Sequence, residues 1–296
     1  MFRSGFVALI GRPNVGKSTL VNTLVGEKMA IVSEKPQTTR NQIRGILTTA
    51  DYQLVFIDTP GIHKPRHKLG ERMVQVALRT LAEVDVVLFV ADALAGSGSG
   101  DEYILSALDR VTTPVILIVN KADLAAAEQL EVLLGHYRAL FPFSASLAAS
   151  GLTGQNKDLL LSLLLERLPA GPCYYPADMF TDQPEKVLVA ELIREKVLAL
   201  TRDEVPHAVA VEIAAMRKRT GREMVDIEAN IYVERESQKG ILIGKNGSLL
   251  KTVGRLSRLE MEALLGSQVF LQLWVKVKPD WRNKEGAWRD LGLEFE

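Results

Sequence analysis

The stretch from Phe6 to Leu24 reads FVALIGRPNVGKSTLVNTL, and few folds accept it. Phe6 to Ile10 is a short apolar, partly β-branched run that suits a strand buried on both faces. Gly11 breaks the run, and Gly11-Arg12-Pro13-Asn14-Val15-Gly16-Lys17-Ser18 fits the pattern G-x-x-x-x-G-K-[ST]. Beyond Thr19, Leu20, Val21, Leu24 and Val25 are spaced to lay one helix face on a sheet. A strand, a glycine loop and a helix in that order build an anion site. The glycines let backbone N–H groups converge on phosphate oxygens, and the helix N-terminus adds a favourable dipole. In such a loop Lys17 reaches the β- and γ-phosphates and the Ser18 hydroxyl ligates Mg²⁺. Nucleotide binding is therefore expected.

A chain of 296 residues suggests about two domains. Its 36 basic and 36 acidic residues cancel, so affinity for nucleic acid must come from local charge patterning. Cys173 is the single cysteine, which excludes an intrachain disulfide and a thiolate metal cluster. No apolar run approaches the roughly 20 residues that span a bilayer, and 159–165 reads as a buried helix face. The N-terminal MFRSGFVALIG runs straight into the first strand, leaving no room for a removable signal. A cytoplasmic location is expected, with the cytoplasmic face of the cell membrane as a surface the chain could also visit.

Residues 33–40 are polar, contain Pro36 and show no periodicity, so they read as a loop. Strand-like runs at 43–47 and 52–57 flank a polar turn, as in a hairpin. The second run ends in Asp58-Thr59-Pro60-Gly61. An aspartate at a strand's carboxyl end can hold Mg²⁺ through water, and Gly61 lets its N–H approach a γ-phosphate. Further buried strands at 84–90 and 115–119 enclose a helical segment at 101–111. Strands alternating with helices indicate an α/β fold with a doubly wound parallel sheet and ligands at the strand carboxyl ends. The glycine-serine run 95–100 receives no function. The strand 115–119 leads into Asn120-Lys121-Ala122-Asp123. A carboxylate only accepts hydrogen bonds, so Asp123 matches the N1–H and amine of guanine, whereas adenine offers no such donor pair. Ser144-Ala145 reads equally as a plain loop or as the source of an N–H for guanine O6. A helix at 156–168 would close the domain.

These motifs, over residues 1–170, resemble the translation-factor-like branch of the small GTPases. The resemblance implies a GTP site made by Gly11, Arg12, Pro13, Asn14, Val15, Gly16, Lys17, Ser18 and Thr19 with Asp58, Thr59, Pro60, Gly61 and Ile62. Asn120, Lys121, Ala122, Asp123, Ser144 and Ala145 would surround the base. Mg²⁺ would be held by Ser18, Thr39 and Asp58. Thr39 takes the position of the switch threonine, with Thr38 as the competing assignment. Ile62 stands where Ras-like enzymes place a glutamine that orients the attacking water. Isoleucine offers no hydrogen-bonding group, so hydrolysis must be arranged otherwise. Asn14 is the candidate: GTPases with similar loops use this asparagine to hold K⁺. Lys17, Thr39 and Asn14 are thus the expected catalytic residues.

Residues 171–186 concentrate prolines and read as a linker packed by Tyr174, Tyr175 and Phe180. Beyond it come a helix at 187–200, strands at 209–214 and 226–233, and a basic loop, Arg217 to Arg222, between them. The Gly244-Lys245-Asn246-Gly247 turn follows, then a helix to about Leu265 and a strand at 269–277. Helix–strand–strand–helix–helix–strand with Gly-x-x-Gly between helices resembles a type II KH domain, of α+β class, over 187–296. In such domains the glycine loop clamps single-stranded RNA. Lys239, Ile243, Gly244, Lys245, Asn246, Gly247 and Lys251 are the expected RNA contacts. From Lys239 to Arg258 every charged residue is basic.

A GTPase domain followed by a KH domain resembles the Era family, bacterial GTPases of small-subunit ribosome assembly. Gln37-Thr38-Thr39-Arg40, the Tyr174-Tyr175-Pro176 to Thr181-Asp182-Gln183-Pro184 linker, Val233 to Gly240 and Leu273 to Lys278 carry that resemblance. It implies a monomer that binds GTP and GDP, the 3′ end of 16S rRNA and the 30S precursor. Two other readings stand beside it. One is an RNA clamp or chaperone with GTP as a structural ligand; the other, a tRNA-modifying GTPase, lacks a supporting cysteine-centred constellation.

Overall fold

In the first strand, β1 (Arg3–Ile10), Val7 and Leu9 face one core while Ala8 and Ile10 face another. That double burial, expected from the unbroken apolar run, organises the first half of the chain. The computed structural model describes residues 1–33, 35, 38–65, 67–109, 111–221, 223–291 and 293. Glu34, Pro36 and Gln37 of the expected switch loop and Arg222 of the basic loop lie outside the described residues.

After β1 come α1 (Lys17–Val25), β2 (Ile43–Thr48), β3 (Tyr52–Asp58), α2 (Lys68–Thr80), β4 (Val86–Asp92), α3 (Ser99–Leu108), β5 (Val115–Asn120), α4 (Ala127–Leu140), β6 (Ala145–Ala148) and α5 (Lys157–Arg167). The six strands form one sheet in the order β2-β3-β1-β4-β5-β6. Only β2 runs antiparallel, hairpin-paired with β3, and the remaining neighbours are parallel. On one face Val7, Leu9, Leu54, Phe56 and Leu88 pack with Leu20 and Leu24 of α1 and Leu160 and Leu164 of α5. On the other face Ala8, Ile10, Val87 and Phe89 pack with Ile104 and Leu108 of α3 and Tyr137 of α4. The doubly wound α/β expectation holds.

Helices α2 and α4 and strand β6 go beyond the sequence expectations. Gly70 and Gly135 interrupt the two helices, and Val132 of α4 is exposed, which blurs the apolar period. Strand β6 is short and half polar, and it registers as a strand because β5 offers it a ladder, Ile116 to Ala145 through Val119 to Ala148.

The chain divides into two compact units with the main boundary between Asp182 and Gln183, and His67–Leu69 group with the second. Residues up to Asp182 pack with the first unit: Ile46 donates to the Phe180 carbonyl at 2.8 Å, and Gly45 and Thr181 form an antiparallel bridge. Helix α6 (Glu185–Leu200) starts two residues before its expected beginning, so Glu185 and Lys186 are helical rather than linker.

The second unit continues with α7 (Val205–Ala208), β7 (Ala210–Lys218), β8 (Met224–Val233), α8 (Glu236–Ile243), α9 (Ser248–Leu265), β9 (Gln268–Val277) and α10 (Glu285–Asp290). Its sheet has the order β7-β8-β9, with β7 antiparallel and β9 parallel to β8. Inward residues of all three strands, among them Val211, Ile227, Ala229 and Val275, pack beneath Ile193 of α6 and Val253 and Met261 of α9. Apart from the short α7 and the appended α10, this is the expected KH order. One boundary differs. Arg217 and Lys218, expected in a loop, extend β7 and pair with Asp226 and Val225. A bulge between Ile213 and Ala215 shifts the alternation there and hides the rest of the strand from a period-2 reading.

Candidate functional site

The parallel register brings the motif-bearing loops to one edge of the first sheet. Leu9 is level with Asp58, Ile10 with Phe89 and Asp92 with Asn120, so β1, β3 and β5 end together. At the base of α1, Gly16 has φ +93, and a Cβ there would collide with the Asn120 amide. The loop therefore needs glycine both for its left-handed backbone and for room.

Lys17 is buried, and its Nζ donates to the carbonyls of Arg12 at 3.0 Å and Gly11 at 3.2 Å. Burial lowers its pKa to about 8, against a smaller upward pull from Asp58. Beside it, Ser18 Oγ donates to Asp58 Oδ2 at 2.6 Å, Thr39 Oγ1 donates to the same oxygen at 3.1 Å, and the two hydroxyls lie 2.9 Å apart. Burial pushes the Asp58 carboxyl above the usual carboxylate range, while Lys17 and the two hydroxyls pull it back down. Asp58 Oδ1 is buried without a hydrogen-bond partner among the described residues. A carboxylate with an orphaned oxygen beside two hydroxyls is a hard-oxygen donor set, which fits Mg²⁺. Thr38 lies elsewhere: its hydroxyl donates to the Lys35 carbonyl at 2.6 Å. Of the two candidate threonines, the structure brings only Thr39 to Ser18 and Asp58.

Thr59 donates to the Leu9 carbonyl at 2.6 Å and fastens the end of β3 to β1. Gly61 lies against the Pro13 backbone. Asn14, exposed, has φ +66. Two expected GTP contacts differ. The Ile62 side chain is 1% exposed and sits in the core under α2, and its N–H donates to the Gly11 carbonyl at 3.1 Å. An apolar side chain gains by that burial, so only its backbone serves the loop. The Arg12 guanidinium turns aside to Asp101 and to the Gly96 carbonyl, leaving the loop its backbone alone.

The end expected to read the base is held by Asn120. Its Nδ2 donates to the Val15 carbonyl at 2.8 Å, and its Oδ1 accepts from Gly151 N–H at 2.8 Å, joining the phosphate loop to the segment after β6. Lys121 has φ +64 and pairs with Asp92 at 2.5 Å. Ala122 donates to the Ala149 carbonyl at 3.0 Å, and Asp123 stands exposed in the following turn. Ser144 and Ala145 are a correction. Ser144 N–H bonds the Val115 carbonyl and Ala145 is level with Ile116, at the amino ends of the strands. Ala145 is four and Ser144 five strand positions short of Asn120, at roughly 3.3 Å each. The segment beside Asn120 is Ala149-Ser150-Gly151. Its signal was the turn-forming Ser150-Gly-Leu-Thr-Gly154, in which the Ser150 hydroxyl accepts from Leu152 and Thr153 N–H.

In the second unit, the Gln238 side chain accepts from the Glu234 and Arg235 N–H groups and caps α8. Helix α8 ends at Gly244, φ +73, and Lys245 and Asn246 stand exposed in the turn before α9. Lys251 is exposed one turn into α9, and Lys239 lies 3.9 Å from Glu236. Ile243 packs partly against the core, so it borders the turn and is half withdrawn from it.

A family model described as a 50S ribosome-binding GTPase matches residues 6–121, and a KH domain model matches residues 204–282. The GTPase Era of Alkaliphilus oremlandii is 54% identical over 293 residues, 99% of each chain. The chain belongs to the Era family. The GTPase Era of Caldanaerobacter subterraneus is likewise 54% identical over 295 residues, 100% of this chain and 99% of the other. Among solved structures, an Era in complex with MgGDPNP and nucleotides 1506–1542 of 16S ribosomal RNA matches with a TM-score of 0.96 at 40% identity, covering 99% of each chain. A single-substitution variant of Aquifex aeolicus Era bound to GDP·AlF4⁻ matches at 0.95, also 40% identical over 99% of each chain. Era relatives thus share both units of this chain in one polypeptide.

Proposed function

We propose that this chain is a GTP-hydrolysing switch that binds the 3′ end region of 16S rRNA and acts in 16S rRNA processing and 30S subunit assembly. The observation that carries the GTPase reading is the buried Ser18–Thr39–Asp58 cluster beside Lys17, with an orphaned Asp58 oxygen at its centre. The Era solved with MgGDPNP and a 16S rRNA fragment supports carrying the same ligands to this chain.

The roles divide by position. Backbone N–H groups of Asn14 to Thr19 surround the phosphates, and the Lys17 ammonium, held by the Arg12 and Gly11 carbonyls, turns its third N–H to phosphate oxygens. Ser18, Thr39 and Asp58 hold Mg²⁺, which when bound neutralises charge on the β- and γ-phosphates. Thr39 brings the switch loop to the site. Asp123 accepts from guanine, and the backbone after β6, rather than Ser144 or Ala145, lies where an N–H can meet the base. Asn14 is assigned a K⁺ site on the exposed side of the loop. Lys239, Gly244, Lys245, Asn246, Gly247 and Lys251 form the RNA clamp. The chain is assigned to the cytoplasm as a monomer, with peripheral contact at the cell membrane; among the described residues no helix is long and apolar enough to cross one.

Buried Ile62 favours one competing reading, an RNA clamp with GTP as a slowly turned-over ligand, because the residue directly after Gly61 carries no polar group. Phosphate release measured in K⁺ and in Na⁺, with and without a 16S rRNA 3′-end oligonucleotide, separates the two. A switch turns over GTP, faster in K⁺ and with RNA. No release above background in any arm leaves the clamp.

A further inference from the structure

The glycine-serine run 95–100 has no part in the site as described, yet it is built around a residue of the phosphate loop. Arg12 Nε lies 3.0 Å from Asp101 Oδ1, and Arg12 Nη2 donates to the Gly96 carbonyl at 2.6 Å. Asp101 is completely buried in the first turn of α3. Its Oδ2 accepts from the Tyr137 hydroxyl of α4 and from the Gly98 N–H, each at 3.1 Å. A Cβ at Gly100 would sit 2.8 Å from Arg12 Cδ, so glycine there makes room for the arginine stem.

We propose that Asp101 is a positioning residue for nucleotide binding, acting through Arg12 on the phosphate loop. This rests on the GTPase reading above. A buried ion pair of this kind adds little net stability over apolar side chains of equal volume, so stability alone does not account for it. What it does fix is geometry. The Arg12 carbonyl is the nearer of the two acceptors that hold Lys17 Nζ, at 3.0 Å against 3.2 Å for Gly11. Arg12 is thus anchored by its side chain to α3 while its backbone places the lysine. Burial raises the Asp101 carboxyl above its usual range and Arg12 is the largest influence lowering it, so the Asp101 charge leans on the arginine beside it.

The test is a double-mutant cycle on the full chain with Asp101→Asn, Arg12→Met and the pair, reading GDP affinity, KM for GTP and Tm. Asp101→Asn is expected to weaken GDP and raise KM by about tenfold or more, the scale at which small misplacements act. The double variant is expected to be no worse than the more impaired single variant, because both act on one contact. Gly100→Ala, which leaves the carboxylate intact and crowds the arginine stem, is expected to weaken GDP too, and to do so no further once Arg12→Ala has removed the stem. Additive losses, or lowered Tm with unchanged GDP affinity, would overturn the proposal. Should Asp101→Asn fail to fold, the Gly100 and Arg12 pair decides alone. Wild-type GDP binding and phosphate release report separately on the GTPase reading.

Discussion

Arg44 Nη1 lies 2.7 Å from Asp182 Oδ2, an ion pair between the edge strand that follows the switch loop and the last residue of the first unit. It does not act alone. Thr181 donates to the Arg44 carbonyl at 2.6 Å, and Tyr175 reaches Asp182 at 3.4 Å. The segment 180–182 therefore extends the sheet beyond β2, whose first residue is only four positions from Thr39.

From this follows a prediction about coupling. A partly exposed ion pair contributes about 0–1 kcal/mol, so Asp182→Ala should unfold near the wild-type temperature. It should nevertheless loosen the hold of the 180–182 segment on the edge strand that follows Thr39. RNA affinity measured in the GDP and GDPNP states should differ less in the variant than in the wild type, where coupling of about 5–150-fold is typical. An unchanged ratio of the two affinities would assign the coupling to another path.

The Asp58 cluster predicts separable effects. Ser18→Ala removes one hydroxyl of the proposed Mg²⁺ set and one donor to a buried carboxylate. Nucleotide affinity in Mg²⁺ should fall toward the affinity measured in EDTA. Thr39→Ala should slow phosphate release far more than it weakens GDP, because Thr39 is proposed as the switch threonine that meets the γ-phosphate state. Comparable losses of GDP affinity in both variants would contradict that division.

Lys17 gives a pH dependence whose sign is fixed. Its pKa in the folded protein is about 8, below the unfolded value of 10.5. Between these values the unfolded state holds more protons, so this group's contribution to stability increases as pH rises through that window. Phosphates bound beside Nζ favour the charged form, and nucleotide binding should therefore take up protons: about half a proton per site at pH 8. Titrating GDP by calorimetry in buffers of different ionisation enthalpy measures the number directly. Zero uptake at pH 8 would mean that Lys17 is already fully charged in the free protein.

Ile62→Ala tests the structural correction. The side chain lies in the core beneath α2, and large-to-small changes at such sites cost about 2–4 kcal/mol. The variant should lose stability by this amount in urea unfolding while retaining turnover per folded molecule. A large loss of turnover at full stability would return Ile62 to the phosphates.

The parts of this site that were legible in sequence are those whose chemistry is local. Gly16, Lys17 and Ser18 are read from one loop, and Asp58 and Asn120 each end a recognisable apolar strand. What sequence did not disclose depends on which strands become neighbours. Ser144-Ala145 was a reasonable source of an N–H until β6 began there and carried the chain to Ala148 before it reached Asn120. Arg12 fits any P-loop pattern, and its engagement by Asp101, 89 positions later, follows only from where α3 packs. The bulge at Ile213–Ala215 likewise concealed the end of β7, because period-2 reading assumes an unbroken register.

The proposed RNA clamp predicts a hierarchy among its own residues. Gly244 has φ +73 and a Cβ there would sit 2.9 Å from Leu249 Cβ, so Gly244→Asp strains the fold as well as any RNA contact. Gly247 also has positive φ but faces open space, and Lys245 is exposed with an ordinary side chain. Lys245→Ala therefore isolates charge. It should weaken a single-stranded 16S rRNA 3′-end oligonucleotide and reduce the slope of log affinity against log salt by about 0.7, the single-strand value for one phosphate contact. Gly247→Asp adds a negative charge at the same turn for a modest backbone strain, and it should abolish measurable RNA binding with little change in Tm. GDP affinity should stay at the wild-type level in both. If Lys245→Ala leaves both affinity and salt slope unchanged, RNA does not pass along the Gly244–Gly247 turn, and the exposed basic side chains of α9, Lys251, Arg255 and Arg258, become the surface to vary next.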